Sequence, residues 1–207
     1  MHSNKIESYK ETLRLSDIQR DIIVGLMLGD GHLETMTEDR TYRLKIEHSI
    51  KQKEYVDWLY KIFKEWVGRS PKTKEKLVFG KKFTNYRFTT YSSGKFRFYA
   101  RQFYRDRKKV IPKMIAKLLS PRTLAVWFMD DGSIKSKKHK TKLINTQCFS
   151  FQDLDRLQTA LKEKFGVIMT RKKERTGWRL YIVSESICKF EALISPYVIP
   201  SMRYKLG

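Results

Sequence analysis

The sequence predicts an α+β protein made by duplicating one αββαββα unit, and three observations carry that prediction. First, IIVGLMLGDGHL (22–33) and TLAVWFMDDGSI (123–134) are both apolar helical runs that close on an acid and a glycine. Second, three further blocks match in the same order. LKIEHSIKQKEYVDWLYKIFKEWVG (44–68) parallels KLINTQCFSFQDLDRLQTALKEKFG (142–166), YRFTTYS (86–92) parallels WRLYIVS (178–184), and VIPKMIAKLL (110–119) parallels VIPSMRYKLG (198–207). Third, the hydrophobic period changes between helix and strand spacing at the same points of each half. Chance does not produce four ordered matches.

Taken in order, residues 1–15 are a polar extension, and the halves are 16–119 and 120–207. Ser16 and Gln19 form a capping box ahead of the first apolar run. Gly25 and Gly29 are four residues apart, on one helix face, where a missing side chain lets another helix approach closely. Gly31 is expected to end this helix in the left-handed conformation, as is Gly132 in the second copy. Strands are expected at 33–37, 41–48, 76–80 and 85–91. Between them lies an amphipathic helix with Tyr55, Trp58, Leu59, Ile62, Phe63 and Trp66 at helical spacing. In the second half Ser120 and Pro121 make an N-cap and first-turn pair. Strands are expected near 133–137, 142–148, 167–174 and 178–184. The helix among these carries Leu154, Leu157, Leu161 and Phe165, and Ser150 with Asp153 caps it. Trp58, Trp66 and Trp127 are expected in the core.

Composition bounds the function. Hydrophobic residues make up 41% of the 207, enough for a core. Lys and Arg number 44 against 22 acids, a net charge of +22. Such self-repulsion implies a polyanionic partner, and its spread through strands and loops favours a folded surface over a disordered arm. Cys148 and Cys188 match no zinc spacing and are expected as reduced core residues of an intracellular protein. Neither a signal peptide nor a spanning helix is evident, and a membrane partner is not expected.

The motif helices carry the chemistry. Asp30 and Asp131 sit where the helix dipole is already negative, a poor placement for stability that a cation would reverse. An isolated Asp-Gly is ordinarily an exposed helix end, but two copies after two apolar helices point to function. Two carboxylates, with Gly29 and Asp130 beside them and helix-end carbonyls, make a hard oxygen site for Mg²⁺ or Mn²⁺.

The segments IVGLMLGDG (23–31) and LAVWFMDDG (124–132) resemble the motif of the LAGLIDADG homing endonucleases, in its single-chain, two-motif branch. LINTQCFSF (143–151) and YVIPSMRYKL (197–206) resemble that branch too, and the likeness covers roughly residues 16–207. It implies two antiparallel sheets forming a saddle over DNA around the paired motif helices. It implies metals on Asp30 and Asp131, one strand cut per acid and short 3′ overhangs at a long asymmetric site. It also implies a lysine beside each acid, Lys109 and Lys205, with the adjacent Lys108 as an alternative to the first. Val24 and Val126 depart from the motif's small residues, so packing there should be looser or asymmetric.

Strand alternation selects the DNA face. Arg43, Lys45, Lys72, Lys74, Lys76, Arg87 and Thr89 are assigned to it in the first half. Arg171, Lys173, Arg179 and Tyr181 are assigned to it in the second, with Lys135, Lys137 and Lys138 in a clamping loop. His32, His48 and His139 read as DNA-facing or structural. The expected protein is a monomeric, metal-dependent endonuclease of double-stranded DNA, in an organelle (mitochondrion or chloroplast) or a prokaryotic cytoplasm. An intron RNA maturase and a non-cleaving DNA-binding regulator are the alternatives on the same fold.

Overall fold

A computed structural model describes residues 2–135 and 141–207, with side chains from residue 4 onward. Lys137, Lys138 and His139 of the expected clamping loop lie outside the described residues. Along the chain the elements are α1 (His2–Thr12), α2 (Asp17–Leu28), β1 (His32–Glu34), β2 (Arg43–Ser49), α3 (Lys53–Ile62), β3 (Lys72–Val78), β4 (Lys81–Thr89) and α4 (Arg97–Phe103). They continue with β5 (Tyr104–Arg105), β6 (Lys108–Lys109), α5 (Ile115–Leu118), α6 (Pro121–Asp131), β7 (Gly132–Ile134), β8 (Lys142–Asn145), α7 (Phe151–Phe165), β9 (Met169–Glu174), β10 (Gly177–Ile182) and α8 (Ser184–Ile194). Short 3₁₀ turns intervene, the longest at Pro200–Lys205. Among the described residues no helix is long and apolar enough to cross a membrane.

The duplication reappears as topology. One four-stranded antiparallel sheet has the order β1-β2-β4-β3, and the other β7-β8-β10-β9. The compact units, however, divide the chain differently from the repeats. One contains residues 1–20 and 30–100, the other residues 21–29 and 101–207. Most of the first motif helix therefore belongs to the unit that holds the second repeat.

In the first unit the sheet turns Leu33, Leu44, Ile46 and Phe88 inward, all at most 4% exposed. Tyr55, Val56 and Leu59 of α3, then Phe63 and Trp66, are fully buried. Trp58, expected in the core, is instead half-buried at its edge, where it stacks on Tyr55. α1 is anchored by Tyr9, whose hydroxyl donates to the Glu65 carbonyl at 2.9 Å and whose ring packs edge-on against Tyr91. β3 and β4 meet at a tighter turn than the sequence suggested. Val78 pairs with Lys81, leaving Phe79 and Gly80 as a two-residue turn with φ of 48° and 73°. That geometry matches the right-handed twist of the flanking strands, which both run longer than expected.

In the second unit the two motif helices bury their apolar residues together. Ile22, Ile23, Leu26, Met27 and Leu28 of α2 are fully buried, as are Leu124 to Met129 of α6. Each such side chain contributes about 1.5–3 kcal/mol of burial. The expected caps are all present. Gln19 N–H donates to Ser16 Oγ while Ser16 N–H donates to the Gln19 side chain. Thr123 N–H donates to Ser120 Oγ, and Ser150 with Asp153 forms the full capping box.

Two expectations are corrected. Gly132 is extended (φ −75°, ψ 148°), because α6 runs straight into β7, and Gly31, which follows a turn at Gly29 and Asp30, is not among the left-handed glycines. Cys148 and Cys188 form no disulfide, as expected, but are exposed rather than in the core.

Candidate active site and nucleic-acid face

The absence of side chains at Gly25 and Gly29 brings α2 and α6 into backbone range. A Cβ built on Gly25 would lie 2.6 Å from Val126 Cβ and 2.8 Å from the Thr123 carbonyl oxygen. One on Gly29 would lie 2.6 Å from Asp130 Cβ. Real Cβ atoms do not approach so closely, so these two glycines are the contact. The asymmetry expected from Val126 takes a definite form: the bulk of Val126 fills the space left by Gly25. At the other end of the contact, Thr123 Oγ1 donates to the Asp21 carbonyl and Arg122 pairs with the Asp21 carboxylate, both at 3.1 Å.

The motif acids follow directly. The Asp30 side chain is 53% exposed, and in its unit His48 Nδ1 lies 3.8 Å from Asp30 Oδ2. His48 is buried with its ring against Tyr55, not on the outward face of the sheet. Asp130 is buried beside Gly29, whereas Asp131 is half-buried and its carbonyl accepts from Asn145 Nδ2 at 3.1 Å. The carboxylates of Asp30 and Asp131 are hard, solvent-accessible oxygen donors of the kind Mg²⁺ or Mn²⁺ takes.

A lysine sits on the last carbonyls of each motif helix. Lys109 Nζ donates to the Gly29 carbonyl. Lys205 Nζ donates to the carbonyls of Met129 and, at 2.9 Å, Asp130. An ammonium there offsets the negative helix end and stays beside the acid. Different structures deliver the two. Lys109 comes from the β5–β6 hairpin, whose turn residues Asp106 and Arg107 have φ of 49° and 61° and whose register pairs Lys109 with Tyr104. That hairpin, missed in the sequence, turns Lys108 out to solvent and Lys109 inward. Lys205 comes from the 3₁₀ turn at Pro200–Lys205.

In the first unit every residue assigned to the nucleic-acid face shares one side of the sheet. Arg43 and Lys45 pair across from Glu34 and His32, Lys45 pairs with Thr89, and Arg87 pairs with Lys72. Lys74 and Lys76 follow on the same side by strand alternation. A cleft of about 620 Å³ opens on this face, lined by Arg43, Lys45, Lys72, Arg87 and Thr89 among others. Glu47, pairing with Arg87, lies in the midst of these cations. Burial by itself pushes its carboxyl up. Hydrogen bonds from Lys76 and Asn85, with the charges of Lys76 and Lys45, outweigh this and hold it down to about 2.

In the second unit the face is only partly as expected. Arg179 and Tyr181 pair with Lys172 and Thr170, so those residues share their side. Arg171 and Lys173 pair with Leu180 and Trp178 and so belong to the opposite face. Arg171 lies over the Phe151 ring at 3.5 Å and donates to Asp155 at 3.3 Å. The sequence MTRKKE of β9 is polar on both sides over most of its length, so it offers little alternation to fix the phase. Arg179 Nε is buried without a hydrogen-bond partner. Lys135 is exposed just beyond β7.

Comparisons with known proteins agree with this architecture. Residues 20–190 match the model of the LAGLIDADG DNA endonuclease family. The chain is 31% identical to a probable intron-encoded endonuclease 1 of Wickerhamomyces canadensis over 99% of its own length and 91% of that protein. It is also 31% identical to the DNA endonuclease I-ChuI of Chlamydomonas applanata, over 94% of this chain and 97% of the relative. Among solved structures, the homing endonuclease I-WcaI bound to its DNA recognition sequence superposes with a TM-score of 0.92 at 29% identity, covering 98% of this chain and 92% of the other.

Proposed function

Since the chain belongs to the LAGLIDADG DNA endonuclease family, we propose that it hydrolyses both strands of duplex DNA at one long asymmetric site, leaving short 3′ overhangs. The observation that carries this reading is a lysine repeated on the backbone carbonyls that precede each motif acid: Lys109 on Gly29 before Asp30, and Lys205 on Met129 and Asp130 before Asp131. Asp30 and Asp131 would hold divalent metal, with the Gly29 carbonyl and Asp130 beside them. The metal, Mg²⁺ or Mn²⁺, would supply an activated water and charge neutralisation at the scissile phosphate.

The protein's own residues perform the rest. The basic faces bind phosphates and set register. The Lys109 and Lys205 ammoniums lie beside the acids, where each stabilises charge developing on a phosphoryl oxygen. The arginines and lysines on the basic side of β2, β3, β4 and β10 read base edges in the major groove. The protein acts as a monomer, because one chain carries both motifs. It works inside an organelle or a prokaryotic cell, encoded by an intron as its relative's name indicates.

Cleavage selection from a randomised duplex library, with Mg²⁺ and with EDTA, tests this. One long enriched site, cut only with metal, is expected. Asp30→Asn or Asp131→Asn should each lower double-strand cutting by about 100-fold or more while DNA affinity is kept. Undiminished double-strand cutting by either variant overturns the metal assignment. Tight binding of structured intron RNA without cleavage would favour the maturase function instead.

A further inference from the structure

We infer that Lys142, a buried lysine away from the basic face, positions Lys205 and so governs cleavage of one DNA strand. This rests on the endonuclease function proposed above. Lys142 opens β8 and pairs with Ile134, on the same side of the sheet as Ile144. Its side chain is 1% exposed. A buried ammonium costs several kcal/mol unless paired. Lys142 Nζ is held by the Glu191 carboxylate of α8 and donates to the Leu206 carbonyl at 2.6 Å.

Leu206 is the neighbour of Lys205. The Lys142–Glu191 pair thus holds the carbonyl of the residue that follows the lysine whose ammonium reaches Met129 and Asp130 at the end of α6. That clamp is needed because Lys205 ends a 3₁₀ turn, whose internal hydrogen bonds are poor, and lysine has a long, flexible side chain. The first repeat is built differently at the corresponding places. Leu44, which pairs with Leu33 as Lys142 pairs with Ile134, takes the equivalent position, and Lys109 is delivered by a hairpin. Apolar groups in place of a buried ion pair are often neutral or stabilising, so the pair's value lies in the geometry it imposes.

The test follows both labelled strands of the cognate duplex with wild type, Lys205→Met, Lys142→Met and the double variant Lys142→Met/Glu191→Leu. The double variant removes the buried ammonium together with its half-buried carboxylate partner, so it leaves no unpaired charge even where Lys142→Met alone does not fold. Both Lys142 variants should slow the strand that Lys205→Met slows by ~10-fold or more, leave the other strand and DNA affinity within about twofold, and accumulate nicked product. Amide hydrogen exchange over residues 201–206 should quicken ~10-fold in the same variants while that of α6 stays unchanged. A double variant that cuts both strands at wild-type rates, or slows both alike, overturns the positioning role and leaves the endonuclease function standing. A wild type that cuts neither strand overturns both.

Discussion

Glu47 is an acid in the middle of a basic face, and its neighbours decide its state. Lys76 and Asn85 hydrogen-bond it, and Lys45 and Arg87 lie at 3.7 and 3.6 Å from Oε2. Its carboxyl is held at about 2 against an ordinary 4.5, so its contribution to stability is present above pH 4.5 and lost as the pH falls toward 2. The fall in urea midpoint between pH 5 and pH 3 should therefore be smaller in Glu47→Gln than in wild type. The same variant removes a negative charge from the face, so it should bind non-specific duplex more tightly at low salt. Equal acid sensitivity of the two proteins would show that the ion pairs around Glu47 add nothing to stability. The lysines teach a second lesson at this scale. Aligning the VIP blocks matches Lys205 with Lys117, which is exposed. Lys109, from outside that alignment, takes the corresponding place at the other motif helix.

At the scale of elements, the α2–α6 contact is a fit between Gly25 and Val126. Gly25→Val should overpack it and destabilise by about 1–3 kcal/mol or more. Adding Val126→Gly should recover much of that loss, because the two sites share one space and couple. Urea unfolding of the two single variants and the pair measures this, and strict additivity would refute the contact. The phase of β9 gives a second prediction. Lys172 shares the side of Arg179, whereas Arg171 is committed to Phe151 and Asp155. Lys172→Gln should reduce the slope of log affinity against log salt by about 1, and Arg171→Gln should leave it nearly unchanged. The reverse result would place Arg171 on the DNA side.

At the scale of the molecule, a net charge of +22 sets the class of partner, and the ordered repeat sets the fold. Sequence by itself determined the duplicated αββαββα architecture, the three helix caps, the motif acids and the basic face of the first unit. These depend on short-range rules: hydrophobic period, cap chemistry and the alternation of a strand whose inner face is apolar. Asn145, which pairs with Arg179 and donates to the Asp131 carbonyl, carries no signal in the sequence beyond its place in a strand. Only the tertiary structure decided that residues 21–29 join residues 101–207 in one compact unit. It also decided that Lys109 rather than Lys108 turns inward, that Arg171 and Lys173 leave the basic face, and that a buried Lys142 clamps Leu206. Each of these turns on a strand phase or a long-range partner. A polar strand read alone has no preferred side, and a lysine's partner 64 or 80 residues away leaves no local trace.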